Sequence, residues 1–96
     1  MKILLTATPY AGGEADQERI LALFSAWKPP VEIQMWSGFI DGTGFFGILD
    51  TDDMDAVAAI TATWSPLLSF TAKPFVEVAS VATAMAAGIE FRNSVG

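Results

Sequence analysis

The sequence predicts an α+β fold with its elements in the order βαββαβα, and three observations carry that reading. Short runs of β-compatible residues alternate with runs whose apolar residues recur at helical spacing. Between two adjacent extended runs stands Asp41-Gly42-Thr43-Gly44, hairpin chemistry in which glycine accepts the positive φ of a tight turn. The chain is 96 residues long, enough for one hydrophobic core and no second, so residues 1–96 are read as one domain.

Each element has its own justification. Lys2 to Thr8 is a strand stopped by Pro9, which fixes its φ and lacks an N–H. A turn is expected at Gly12-Gly13. From Glu14, Ile20, Leu23, Phe24 and Trp27 fall at i, i+3, i+4 and i+7, with Glu14, Asp16 and Glu18 complementing the dipole of the first turns and Lys28-Pro29-Pro30 ending the helix. Val31 to Ile40 and Phe45 to Asp50 are the hairpin strands. Thr51 or Asp52 offers an N-cap to a second helix marked by Val57, Ile60, Thr61 and Trp64 and closed by Ser65-Pro66. Ser69 to Val78 reads as a fourth strand that Pro74 assigns to an edge or bulge. A small-residue helix follows from Ser80, with a smooth stripe of Ala84, Met85, Gly88 and Ile89 suited to lie against another element.

This order is the ferredoxin-like βαββαβ arrangement with an extra C-terminal helix, and right-handed crossovers place both main helices on one face of the sheet. A hairpin loop of two or four residues groups Gln34, Trp36 and Ile40 with Phe45, Gly47 and Leu49, and Ile33, Met35 and Phe39 with Phe46 and Ile48. Large apolar side chains then occupy both faces. A sheet with one wet face shows apolar–polar alternation instead, so a homodimer through the sheet face is expected.

Composition closes several functions. The net charge of −6 lacks the cationic stripe that neutralises phosphates, which argues against nucleic acid as a partner. No apolar run approaches the ~20 residues of a membrane helix, and the chain is read as cytoplasmic, with no membrane partner. The absence of Cys and His removes disulfides, thiolate chemistry, N/S-ligated metals and Ser-His or Cys-His nucleophiles, so no cofactor and no metal are expected.

The remaining motifs have structural readings. Gly42-Thr43-Gly44-Phe45-Phe46-Gly47 matches G-x-G-x-x-G, but an extended apolar run follows it where a dinucleotide site needs a helix N-terminus. It is read as a hairpin turn plus a strand glycine. Asp50, Asp52, Asp53 and Asp55 lack the Gly and distal Glu of a Ca²⁺ loop and are read as helix-start carboxylates. Trp27 and Trp64 close apolar helical stripes and are read as core, Trp36 as a dimer-core or pocket aromatic, and Lys73 as an edge-strand guard.

Trp36 ahead of the glycine hairpin, Gly44-Phe45-Phe46-Gly47-Ile48-Leu49-Asp50, Trp64-Ser65-Pro66-Leu67-Leu68-Ser69-Phe70 and the strand bearing Pro74 resemble the uncharacterised DUF3303 family. That resemblance implies the dimeric α+β barrel superfamily, in which two ferredoxin-like sheets pack face to face. It also aligns Asp50 with a strand-closing acidic residue and Trp64 with a helix-end Trp. Ser37 stands where the resemblance implies a His in many members, a departure that speaks against an activity relying on an imidazole there. The expected function is a small soluble homodimeric barrel protein, a ligand-binding or interaction module. The alternative is a cofactor-independent monooxygenase- or isomerase-like enzyme acting on a small apolar or aromatic substrate. In either case Gln34, Trp36, Thr6 and Phe45 are the residues expected to meet the small apolar ligand.

Overall fold

The structure, a computed structural model, describes residues 1–10 and 14–96, with side chains of the first helix described from Asp16 onward. The elements are β1 (Lys2–Pro9), α1 (Glu14–Ala26), β2 (Ile33–Gly38), β3 (Phe45–Asp50), α2 (Met54–Trp64), β4 (Leu68–Phe75) and α3 (Val78–Val95). The turn expected at Gly12-Gly13 lies outside the described residues.

The sheet has four strands in the order β2-β3-β1-β4 with every pairing antiparallel, which is the ferredoxin-like topology. In the β1–β3 and β1–β4 registers, Ala7 stands opposite Phe45 and Phe70, and Leu5 opposite Gly47 and Ala72. Side chains alternate across a strand, so these residues share one face, which α1 and α2 cover. There Ile3, Leu5, Ala7 and Leu49 are buried against Val57, Ile60 and Trp64 of α2 and Leu68, with Ile20, Leu23 and Trp27 of α1 packed on the margin.

Hairpin chemistry explains the centre of the chain. Phe39 and Gly44 bond across the loop, Phe39 donating its N–H to the Gly44 carbonyl at 2.9 Å, and Asp41 accepts from both the N–H and the hydroxyl of Thr43. Gly42 adopts φ +77°, while Gly44 is buried so close to the Ala7 carbonyl that a Cβ would strike it. The six residues from Phe39 to Gly44 form the loop, longer than the two or four expected because β2 stops at Gly38, and the register still sets Trp36 on a face with Phe45 and Gly47.

Helix α2 is capped by Asp53, whose carboxylate accepts from the Ala56 N–H at 3.0 Å. Thr51 and Asp52, the caps expected from sequence, do other work. The Thr51 hydroxyl accepts from the Asp53 N–H, and Asp52 joins Asp50 in holding the Met1 ammonium, each at 3.0 Å. The N–H of Ser65 returns to the Thr61 carbonyl, and the Tyr10 hydroxyl donates to the Ser65 carbonyl at 3.1 Å, tying the end of α2 to the end of β1.

The barrel expectation is corrected. β2 and β4 end the sheet as unpaired edges, so it is open and uncurled. The reasoning from sequence counted Trp36 and Phe45 toward a second face in need of a cover, whereas both lie on the face that carries the chain's own helices. What remains on the outer face is mixed. Leu4, Met35, Phe46 and Ile48 stand beside Thr6, Ser37, Thr71 and Lys73, closer to the alternation of a sheet with one wet face. A homodimeric barrel is therefore not what this chain builds, and no helix among the described residues is long and apolar enough to cross a membrane.

Helix α3 departs most from expectation. It begins at Val78 rather than Ser80, buries no residue and packs against no other element among the described residues. The protein consequently measures 58 × 27 × 22 Å.

Candidate functional site

The candidate site grows out of an aromatic cluster. Phe24 and Trp27 descend from α1, Trp64 from the end of α2 and Trp36 from β2, and the four rings meet with centroids 5.3–6.2 Å apart. Trp27 stands edge-on to Trp64 at 88° and Phe24 edge-on to Trp36 at 78°, orientations that bring positive ring edges to negative faces. Gly47 makes room for Trp36: a Cβ there would lie 2.9 Å from two carbons of the indole. No larger residue lets the ring lie across β3.

These rings hold α1 away from the sheet, and a cleft of about 280 Å³ opens beside them. Ala7, Trp36, Gly38, Phe45, Leu68 and Phe70 form its floor from all four strands, Ile20, Leu21 and Phe24 its roof from α1, and Trp64 its side, with Ser37 at the β2 edge. Among the described residues no carboxylate, amine or guanidinium lines it. The Ser37 side chain, opposite Phe46 in the register, belongs to the other face by alternation. The cleft thus offers apolar contact, with no group for general acid or base work among the described residues.

The four residues expected to meet a ligand part company. Trp36 and Phe45 line the cleft. Gln34 falls at a register shift between Ile33 and Met35, a bulge that brings Ile33 onto the Trp36 face and leaves Gln34 exposed. Thr6 lies on the outer face, where its hydroxyl pairs with that of Thr71. Sequence reasoning missed Ala7, Leu21 and Phe70. Ala7 and Phe70 are signalled only by the β1–β4 register, and Leu21 sits off the stripe of α1 and is 64% exposed.

The acidic cluster finds partners within the chain. Asp50 and Asp52 hold the amino terminus, Asp53 caps α2, and no group of three or more potential metal ligands occurs among the described residues. Bonds to both carboxylates raise the pKa of the Met1 ammonium above its ordinary value. Bonds from the Thr43 hydroxyl and N–H lower that of Asp41.

The family pattern described as a domain of unknown function, DUF3303, matches residues 1–89, which span all four strands, α1, α2 and most of α3. The chain belongs to the DUF3303 family. No curated protein and no solved structure matches it.

Proposed function

We propose that this DUF3303 domain binds a small, uncharged, apolar or aromatic molecule in the cleft between α1 and the sheet of a single subunit, with Trp36 and Phe45 among its contacts. The observation that carries this reading is the lining: aromatic and aliphatic side chains from the sheet, α1 and α2, with no titratable group among the described residues. Binding sites are concave and mostly apolar, and an engineered apolar cavity of about 150 Å³ already admits benzene, so 280 Å³ suits one or two fused rings. The apolar character of the described lining favours binding over catalysis. The reading treats residues 1–96 as one domain acting in the cytoplasm, in keeping with a chain that carries no Cys, and a net charge of −6 speaks against nucleic acid as the ligand.

Titration with naphthalene or indole, followed by thermal shift and by chemical-shift changes of the indole N–H protons, tests it. Saturable binding is expected, with the shifts concentrated on Trp36 and Trp64. Ala7→Leu, which places a larger side chain on the floor between Phe45 and Phe70, should abolish binding without lowering Tm. Absence of saturation in the parent chain, or equal binding by Ala7→Leu, rejects the cleft as the site.

A further inference from the structure

A second hollow lies on the far side of the aromatic cluster. Leu23, Ala26 and Trp27, at and just past the end of α1, face Thr63, Trp64 and Leu67 of the α2 end across a pocket of about 300 Å³. Trp64 lines this pocket and the cleft alike, so its indole is part of the wall between them. Among the described residues nothing titratable lines either space, and the Thr63 hydroxyl already donates to the Ala59 carbonyl at 2.8 Å. The second pocket is as apolar in character as the first.

The partition between the two is made of side chains alone. Phe24, Trp27 and Trp64 form a triangle of rings with centroids 5.3–6.2 Å apart, and among the described residues no backbone of α1 comes close to the sheet or to α2. Trp64 is fixed by burial, at 3% exposure. Trp27 is only half-buried, stands one residue past α1 and ahead of Lys28-Pro29-Pro30, and lines the second pocket but not the cleft, so its ring has open volume to turn into. It is the movable member of the triangle.

We propose that the cleft and the second pocket are one binding passage for a linear, uncharged alkyl chain, and that Trp27 is the ring a long chain displaces. The inference rests on the ligand-binding reading of the cleft and narrows its ligand class. A fused ring system fits one chamber and stops at the partition, whereas a chain one methylene wide passes between the indoles and fills both. Trp27 stands edge-on to Trp36 and to Trp64, and giving up two such pairs costs roughly a factor of 5–150 in affinity. Each buried methylene returns about fourfold, so about four methylenes past the partition offset the displacement. Short chains therefore leave Trp27 in place and long ones move it.

Hexanol and dodecanol are the probes, titrated into the parent chain and followed by the indole N–H resonances. Hexanol should shift Trp36 and Trp64, while dodecanol should shift Trp27 as well and bind at least about tenfold tighter. Thr63→Phe and, independently, Ala26→Phe put a ring into the second pocket from exposed positions on α2 and α1. Each should leave hexanol binding and Tm unchanged and weaken dodecanol at least about tenfold. Dodecanol binding equally to the parent and to both variants overturns the passage and leaves the cleft standing. A Trp27 resonance that moves as far with hexanol as with dodecanol overturns the role of Trp27 as the displaced ring. Failure of hexanol and naphthalene alike to saturate removes the cleft and the passage together.

Discussion

The two helices that cover the sheet are attached to it in opposite ways. Helix α2 enters the core with small and branched residues, Ala56, Val57 and Ile60, and its backbone comes close to β4. α1 meets the same sheet through large rings and half-buried aliphatics, and among the described residues its backbone stays clear of every other element. Among its described side chains none is buried, and Phe24 is 46% exposed. One helix is packed and the other is propped. A core that fills its volume near α2 and holds a cleft beneath α1 divides stability and binding between two halves of one sheet face.

That division has measurable consequences. Ile60 has no exposure, so Ile60→Ala should lower stability by about 2–5 kcal/mol in urea unfolding, whereas Leu23→Ala on α1 should lower it by roughly 1 kcal/mol. Equal losses would mean that α1 is packed as tightly as α2. Gly47→Ala strikes the prop itself. Its new Cβ meets two ring carbons of Trp36 and, at 3.2 Å, the Met35 carbonyl, so it should cost about 1–3 kcal/mol and alter the near-ultraviolet circular dichroism of the indoles. An unchanged spectrum would show that Trp36 does not depend on the glycine.

Caps should distinguish the packed helix from the projecting one. Asp53→Ala removes the bond to the Ala56 N–H and should destabilise by about 1 kcal/mol. Glu77→Ala at the start of α3 removes no side-chain cap and should change stability by less than about 0.5 kcal/mol. Amide exchange along each helix checks the pair independently, with slow exchange in α2 and fast exchange in α3.

The smallest effect concerns the hairpin that carries the floor of the cleft. Asp41 titrates below the ordinary carboxylate range because Thr43 donates to its charged form. The folded state binds that proton less readily than the unfolded one. Its stabilising contribution is complete above the unfolded pKa, near 4, and fades as pH falls through the lowered folded value. Asp41→Asn should flatten the acid limb of the Tm profile slightly; an identical limb would remove Asp41 from the hairpin's stability.

The order of elements was readable because periodicity reports local structure, and Trp36 falls beside Phe45 and Gly47 as expected although the hairpin loop has six residues instead of two or four. Alternation yields two faces without saying which of them the helices cover. Trp36 was therefore read as either a dimer-core or a pocket aromatic; it lines the cleft and packs in its own subunit against Phe24 and Trp27. The bulge at Gln34 had no signal in the residues, since Glu32, Ile33 and Gln34 read as an ordinary extended run. Val76 and Val78 are β-branched and lengthened the fourth strand on paper; the observed strand stops at Phe75. Of the ligand candidates, the two on the inward face came together and the two others did not, a distinction that required pairing partners 65 residues apart in the chain.

The central place of β1 sets a timetable for synthesis. Its neighbours in the sheet are β3 and β4, and its first residue, Lys2, pairs with Phe75. The strand translated first is therefore completed by the strand translated last. At ~5–20 residues per second, Ile3, Leu5 and Ala7 wait on the order of several seconds for their second partner, an interval in which a nascent apolar strand has only solvent, the ribosome surface or a chaperone beside it.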